Sequence, residues 1–273
     1  MTALLGVAHG SKDPQAQQVV ESLLEQAARR RPGLVTAPAY VDNASPSIRS
    51  ALAHLVDTGE RDVVVVPLLL TAASHVKTDV AGSVQQGRVE HPGVRLRYAR
   101  PLGTHPALVS VLAQRLAEAG VEDGPVVLVA GGSLDPDANA SVAATARLLY
   151  EGRGFASVDI AFASTAGPTV PEALDRLARL GFSGVGLSRY FLGPGRLPDA
   201  VERMADTHGL PVRVAAPLGA APEIVGLLLE RYDEALGGDI RMSCDACLYR
   251  IALPGRERAV GAPQVPHDHP DDR

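Results

Sequence analysis

The stretch DVVVVPLLLTAASHVKTDV, residues 62–80, decides how the rest of the chain is read. Val63 to Val66 form an apolar run with no polar break, which predicts a strand covered on both faces, as in a parallel sheet. Pro67 has no N–H for a ladder and ends that strand. The small-residue loop Thr71-Ala72-Ala73-Ser74 leads to His75, and a helix is expected to start just after it. Parallel α/β sheets bind ligands outside the carboxyl ends of their strands, so His75 stands where chemistry is expected.

Outward from this stretch, the same unit recurs. A first strand over Ala3–Ala8 meets His9-Gly10-Ser11-Lys12-Asp13-Pro14, and Val19, Val20, Leu23, Leu24 and Ala27 follow at helical spacing. A second strand, Leu34 to Val41, ends in Asp42 and Asn43, and Ser45-Pro46 opens the next helix. A fourth strand, Val94–Tyr98, runs into Pro101-Leu102-Gly103 and a helix to about Ala119.

The pattern then starts again. Ala8 to Pro14 is echoed by Ala130-Gly131-Gly132-Ser133-Leu134-Asp135-Pro136. Ala39-Tyr40 and Pro46 return as Ala161-Phe162 and Pro168, and Pro101-Leu102-Gly103 returns as Pro217-Leu218-Gly219. The fold expected is α/β: two similar lobes, each a parallel sheet flanked by helices, with the active site in the cleft between them. The expected division is residues 1–122, residues 123–237, and a tail over 238–273. The halves differ chemically. His9 corresponds to Gly131, Asp42 to Ser164, and the His75 region to Gly193-Pro194-Gly195-Arg196-Leu197. Every candidate ligand lies in the first half.

Composition narrows the function. The net charge of −5 and the lack of a Lys/Arg run argue against nucleic-acid binding. No apolar stretch is long enough to span a membrane, and no leader precedes the first strand, so a cytoplasmic protein is expected. Two cysteines are too few for a disulfide scaffold.

One histidine at a strand end is readily structural, but two, one beside a Gly-Ser loop, suit metal ligation and proton transfer. With Asp42 they make an open metal site with few protein ligands, unlike the closed sites of structural zinc. The Gly10-Ser11 and Gly131-Gly132-Ser133 loops precede helices, where backbone N–H groups favour anions; taken alone, a turn plus a helix cap is the better explanation of them. Neither GxxxxGK[ST], GxGxxG nor GxSxG is present, which disfavours an NTPase, a dinucleotide enzyme and a hydrolase built on Ser11. His54, His91, His105 and His208 fall in helices or proline-flanked loops and are read as structural or solvated. Cys244-Asp245-Ala246-Cys247 is half of a zinc or cluster site, to be completed by a second chain or by non-protein ligands.

These residues together resemble the class II chelatases, in the long two-repeat CbiX form of sirohydrochlorin chelatase. The resemblance rests on His9-Gly10-Ser11, Asp42 ahead of Pro46, Val65 to Leu70 leading to His75-Val76-Lys77-Thr78-Asp79, and Pro101-Leu102-Gly103, and it covers residues 1–236. It implies insertion of a divalent metal (iron, cobalt or nickel) into sirohydrochlorin without ATP, towards sirohaem or cobalamin. It further implies that His9 and His75 hold the metal and accept the pyrrole protons, with Asp42 as third ligand or charge balancer. Asp42 is shorter than the acidic residue usual there. From topology, Ser11, Ser133 and Arg196 are expected to meet substrate carboxylates. Met242-Ser243-Cys244-Asp245-Ala246-Cys247 matches a C-terminal motif linked in some members to an iron–sulfur centre, which here would either bridge a homodimer through the tail or have an unusual ligand set. A non-catalytic metal or tetrapyrrole carrier is the competing reading.

Overall fold

The computed structural model describes residues 2–73 and 75–238. In chain order the elements are β1 (Ala3–Ala8), α1 (Pro14–Arg30), β2 (Thr36–Tyr40), α2 (Ile48–Asp57), β3 (Asp62–Pro67), a π-helical turn (His75–Val80), α3 (Ala81–Glu90), β4 (Arg95–Tyr98) and α4 (Pro106–Glu118). They continue with β5 (Pro125–Ala130), α5 (Pro136–Arg153), β6 (Ser157–Phe162), α6 (Val170–Arg179), β7 (Val185–Arg189), α7 (Arg196–Asp206), β8 (Val212–Val214) and α8 (Pro222–Gly237). The strands form two four-stranded parallel sheets, ordered β2-β1-β3-β4 and β6-β5-β7-β8.

The first sheet is covered as its valine run requires. Val63 to Val66 are buried, each removal from water being worth about 1.5–3 kcal/mol. Leu5, Val7, Val63 and Val65 pack on one face against Ile48, Leu52 and Leu55 of α2, Val80 at the end of the π-helical turn and Val84 of α3. On the other face Gly6 lets α1 approach: a β-carbon there would stand 2.8 Å from Leu24. In the second sheet, Val127, Val129 and Leu187 pack likewise on Leu174 and Leu177 of α6 and Val201 of α7.

Each of the two compact units is built from parts of both repeats. One unit takes residues up to Gly103 and the chain from Ile224; the other takes Thr104 to Glu223. The last helix of each repeat therefore belongs to the other repeat's unit. Helical periodicity marks a helix's apolar stripe but not the sheet that receives it.

Repeat symmetry survives in detail. Gly10 (φ 100°) and Gly132 (φ 87°) both take left-handed backbone, and a β-carbon on either would collide with the carbonyl oxygen of Asp42 or Ser164. Both loops after the second strand of a repeat carry a cis X-Pro bond, Ser45-Pro46 and Gly167-Pro168.

Candidate active site

His9 follows β1 and His75 opens the π-helical turn after β3, the two adjacent strands at the centre of the first sheet. Their rings meet edge to face, with centroids 4.5 Å apart and planes 82° to one another. A helix was expected to begin after His75; instead His75 is itself the first residue of a widened turn. That turn is held by buried Val76 and Val80 and by Tyr98 of β4, whose hydroxyl donates to the Val76 carbonyl at 2.6 Å.

Hydrogen bonding fixes the tautomers. The Nδ1 of His75 lies 2.6 Å from Oδ2 of Asp79. A carboxylate accepts and does not donate, so Nδ1 carries the hydrogen, and in the neutral ring Nε2 is the nitrogen with the lone pair. The Nδ1 of His9 faces the Gly10 carbonyl at a longer 3.4 Å, which favours the same tautomer. Burial, and then the neighbouring His75, hold the His9 pKa below its ordinary 6.5, against smaller opposing effects from Gly10, Asp42 and Asp79. His9 is neutral at pH 7 and still has accessible surface, which suits a ligand that must be reached from outside.

Asp42 sits beside the pair but is committed elsewhere. Its Oδ1 accepts from the Asn43 backbone N–H and its Oδ2 from the Asn43 side chain, both at 2.8 Å. Its own N–H donates to the His9 carbonyl at 2.9 Å, tying the two loops together. No group of three or more His, Cys, Asp or Glu side chains arranged to hold a metal occurs among the described residues. The first unit thus presents a pair of imidazoles, with Asp42 felt by His9 through charge.

Asp79 is the site residue that sequence reasoning missed. The signal was present, since His75 and Asp79 stand four residues apart on a helical segment, where side chains meet.

The serines expected to meet substrate are part of the turns. The Ser11 hydroxyl accepts from Asp13 N–H and the Ser133 hydroxyl from Asp135 N–H. Asp13 and Asp135 then cap α1 and α5, so each of these helix starts already carries a carboxylate. Arg196 is exposed at the first position of α7. In the second unit the place of His9 is Gly131, where a β-carbon would touch Leu197 at 3.6 Å and Phe191 at 3.8 Å. The imidazole pair has no counterpart there, and the side chains nearest to the place of His9 include the apolar Leu197 and Phe191. Cys244 and Cys247 lie outside the described residues.

The sequence matches the family model described as CbiX over residues 3–119 and again over 125–235. The chain belongs to the CbiX family. Its relatives in this family include a sirohydrochlorin cobaltochelatase of Priestia megaterium, 29% identical over 93% of this chain and 86% of that protein. A sirohydrochlorin ferrochelatase of Bacillus subtilis (strain 168) is also 29% identical, over 85% of this chain and 91% of its own length. Among solved structures, SirB from Bacillus subtilis with Fe3+ superimposes with a TM-score of 0.74 at 27% identity, covering 88% of this chain and 98% of that one. This CbiX chain therefore has the family's two repeats along its length. No helix among its described residues is long and apolar enough to cross a membrane.

Proposed function

We propose that this chain is a sirohydrochlorin chelatase that inserts a divalent metal, iron or cobalt, without ATP. The observation that carries the reading is the His9–His75 pair: adjacent imidazoles, with Nε2 left as the lone-pair nitrogen, found in one repeat of a CbiX chain and replaced by Gly131 and Leu197 in the other.

The chemistry follows from what such a pair does. The metal is a substrate, so it must be held firmly enough to lose water and loosely enough to leave. Two neutral nitrogen ligands leave most of the coordination sphere open, in contrast to a closed four-ligand site. As metal–nitrogen bonds form to the macrocycle, two pyrrole protons depart. The Nε2 of His9 and the Nε2 of His75, released by the metal, are then two bases, and each takes one of the protons. Asp79 keeps the His75 ring in the required tautomer, and Asp42 acts as a charge balancer near His9 rather than as a ligand. Arg196, with the Ser11 and Ser133 loops, is assigned to the substrate's carboxylates. Cys244 and Cys247 are read as half of an iron–sulfur site completed by a second copy through the tail. Insertion does not route through them, and a Cys244→Ser/Cys247→Ser variant is expected to keep measurable chelation.

The test is anaerobic mixing of the protein with sirohydrochlorin and Fe2+ or Co2+. Conversion of the free-ring spectrum to the metallated one, faster than in the protein-free blank, is the expected result; a rate equal to the blank with both metals would contradict the proposal.

A further inference from the structure

Arg231 is the most buried charged residue among the described residues, 1% exposed, and it lies on α8, far along the chain from the histidines. Its contacts run in one direction. Nε donates to the Pro101 carbonyl and Nη2 to the Leu102 carbonyl, both at 3.1 Å, while Nη1 reaches Glu230 and Glu234 at 2.9 Å. Glu234 also accepts from Arg100 at 2.8 Å, so the loop after β4 is gripped from both sides. Leu102 in turn donates its N–H to the Leu69 carbonyl at 3.0 Å. Leu69 belongs to the segment that leaves β3 and leads to His75. Beside this grip, Tyr98 holds the Val76 carbonyl.

The second unit contains the same device without the histidines. Arg115 of α4 donates through Nη2 to the Leu218 carbonyl at 3.0 Å, and through Nη1 to Glu118 at 2.8 Å. Arg115, Glu118 and Leu218 stand to one repeat as Arg231, Glu234 and Leu102 stand to the other. The grip in the unit that carries the histidines is the tighter one. Arg231 bonds two successive carbonyls with its side chain 2% exposed, against one carbonyl and 22% for Arg115. A planar guanidinium suits a fork onto two acceptors, which an ammonium cannot match.

We propose that Arg231 is a positioning residue for His75, acting through Pro101-Leu102 and Leu69, so that the last helix of the second repeat sets the geometry of the metal-handling pair in the first. The inference rests on the chelatase reading for its functional consequence, but its structural content can be read without turnover. Arg115 supplies the matched control, because its loss breaks the equivalent grip in the unit without the pair.

The experiment uses the full chain as wild type, Arg231→Met and Arg115→Met, with imidazole 15N resonances and Co2+-insertion kcat as readouts. The expected result is that Arg231→Met moves the His75 Nδ1 and Nε2 resonances and lowers kcat at least about tenfold, as for residues that orient a metal ligand. Arg115→Met is expected to leave those resonances in place and kcat within about twofold, well below that orienting effect. If Arg231→Met does not fold, Arg231→Lys is read by the same criteria, since it keeps charge near Glu234 but loses the fork. Unmoved His75 resonances in the Arg231 variant, or equal movement in both variants, would overturn the proposal. If the wild type does not insert metal at all, the chelatase reading fails, and the resonances alone still decide the role of Arg231.

Discussion

His9 and His75 meet edge to face with their ring centroids 4.5 Å apart. Burial, and then the repulsion between two imidazolium charges at that distance, keep the His9 pKa below 6.5. In the unfolded chain His9 titrates at its ordinary value, so between the folded pKa and 6.5 the unfolded chain binds more protons. Stability from this group is fully present above 6.5 and is lost as pH falls through the folded pKa. Urea midpoints measured from pH 8 down to pH 5 are expected to fall more steeply for the wild type than for His9→Gln. Parallel curves for the two proteins would show that His9 is not depressed.

Asp79 orients rather than ligates. Asp79→Asn keeps the shape but lets an amide N–H face Nδ1, which favours the other tautomer. Metal affinity or insertion rate is expected to drop about 10-fold or more, the effect usual for a partner that orients a metal-bound histidine. Co2+ titration and initial rates would measure it, and unchanged values would remove Asp79 from the site.

Asp42 should behave differently. Its two oxygens are taken by Asn43, so Asp42→Asn is expected to keep Co2+ affinity within about threefold, far from the loss seen when a ligand is removed. A loss equal to that of His75→Ala would make Asp42 a ligand after all.

Gly10 and Gly132 hold matching turns under the two repeats. Alanine at either must take a left-handed backbone and displace a carbonyl oxygen, Asp42 in one case and Ser164 in the other. Each substitution is expected to cost at least about 2 kcal/mol in chemical denaturation. Only Gly10→Ala, which disturbs the His9 loop, is expected to lower insertion more than stability alone explains.

Much of the fold could be read from the chain because its signals are local. The valine run of β3, the histidine ending β1 and the repeated Gly-Ser-x-Asp-Pro turns each depend on neighbours in sequence. That His9 and His75 stand beyond the carboxyl ends of parallel strands follows from the βα pattern; that those two strands are neighbours is known from the sheet order. Four features were not legible, for physical reasons. The π-helical turn at His75–Val80 has the composition of an ordinary helix start, and its widened register depends on packing against Tyr98 and the core. The commitment of the Asp42 carboxylate to Asn43 is a matter of side-chain rotation, which residue type does not specify. The placement of α8 in the first unit is a tertiary choice between two similar sheets. Arg231 looks like any helix-surface arginine until the Pro101 and Leu102 carbonyls are seen beneath it.

The central claim is that the His9–His75 pair carries metal insertion. Anaerobic stopped absorbance assays with sirohydrochlorin and Co2+, run on wild type, His9→Ala and His75→Ala, test it most directly. The account predicts conversion by the wild type well above the protein-free rate and none above it for either folded variant. Conversion by both variants at the wild-type rate, or a wild-type spectrum that shifts on binding but never becomes that of the metallated ring, would contradict it.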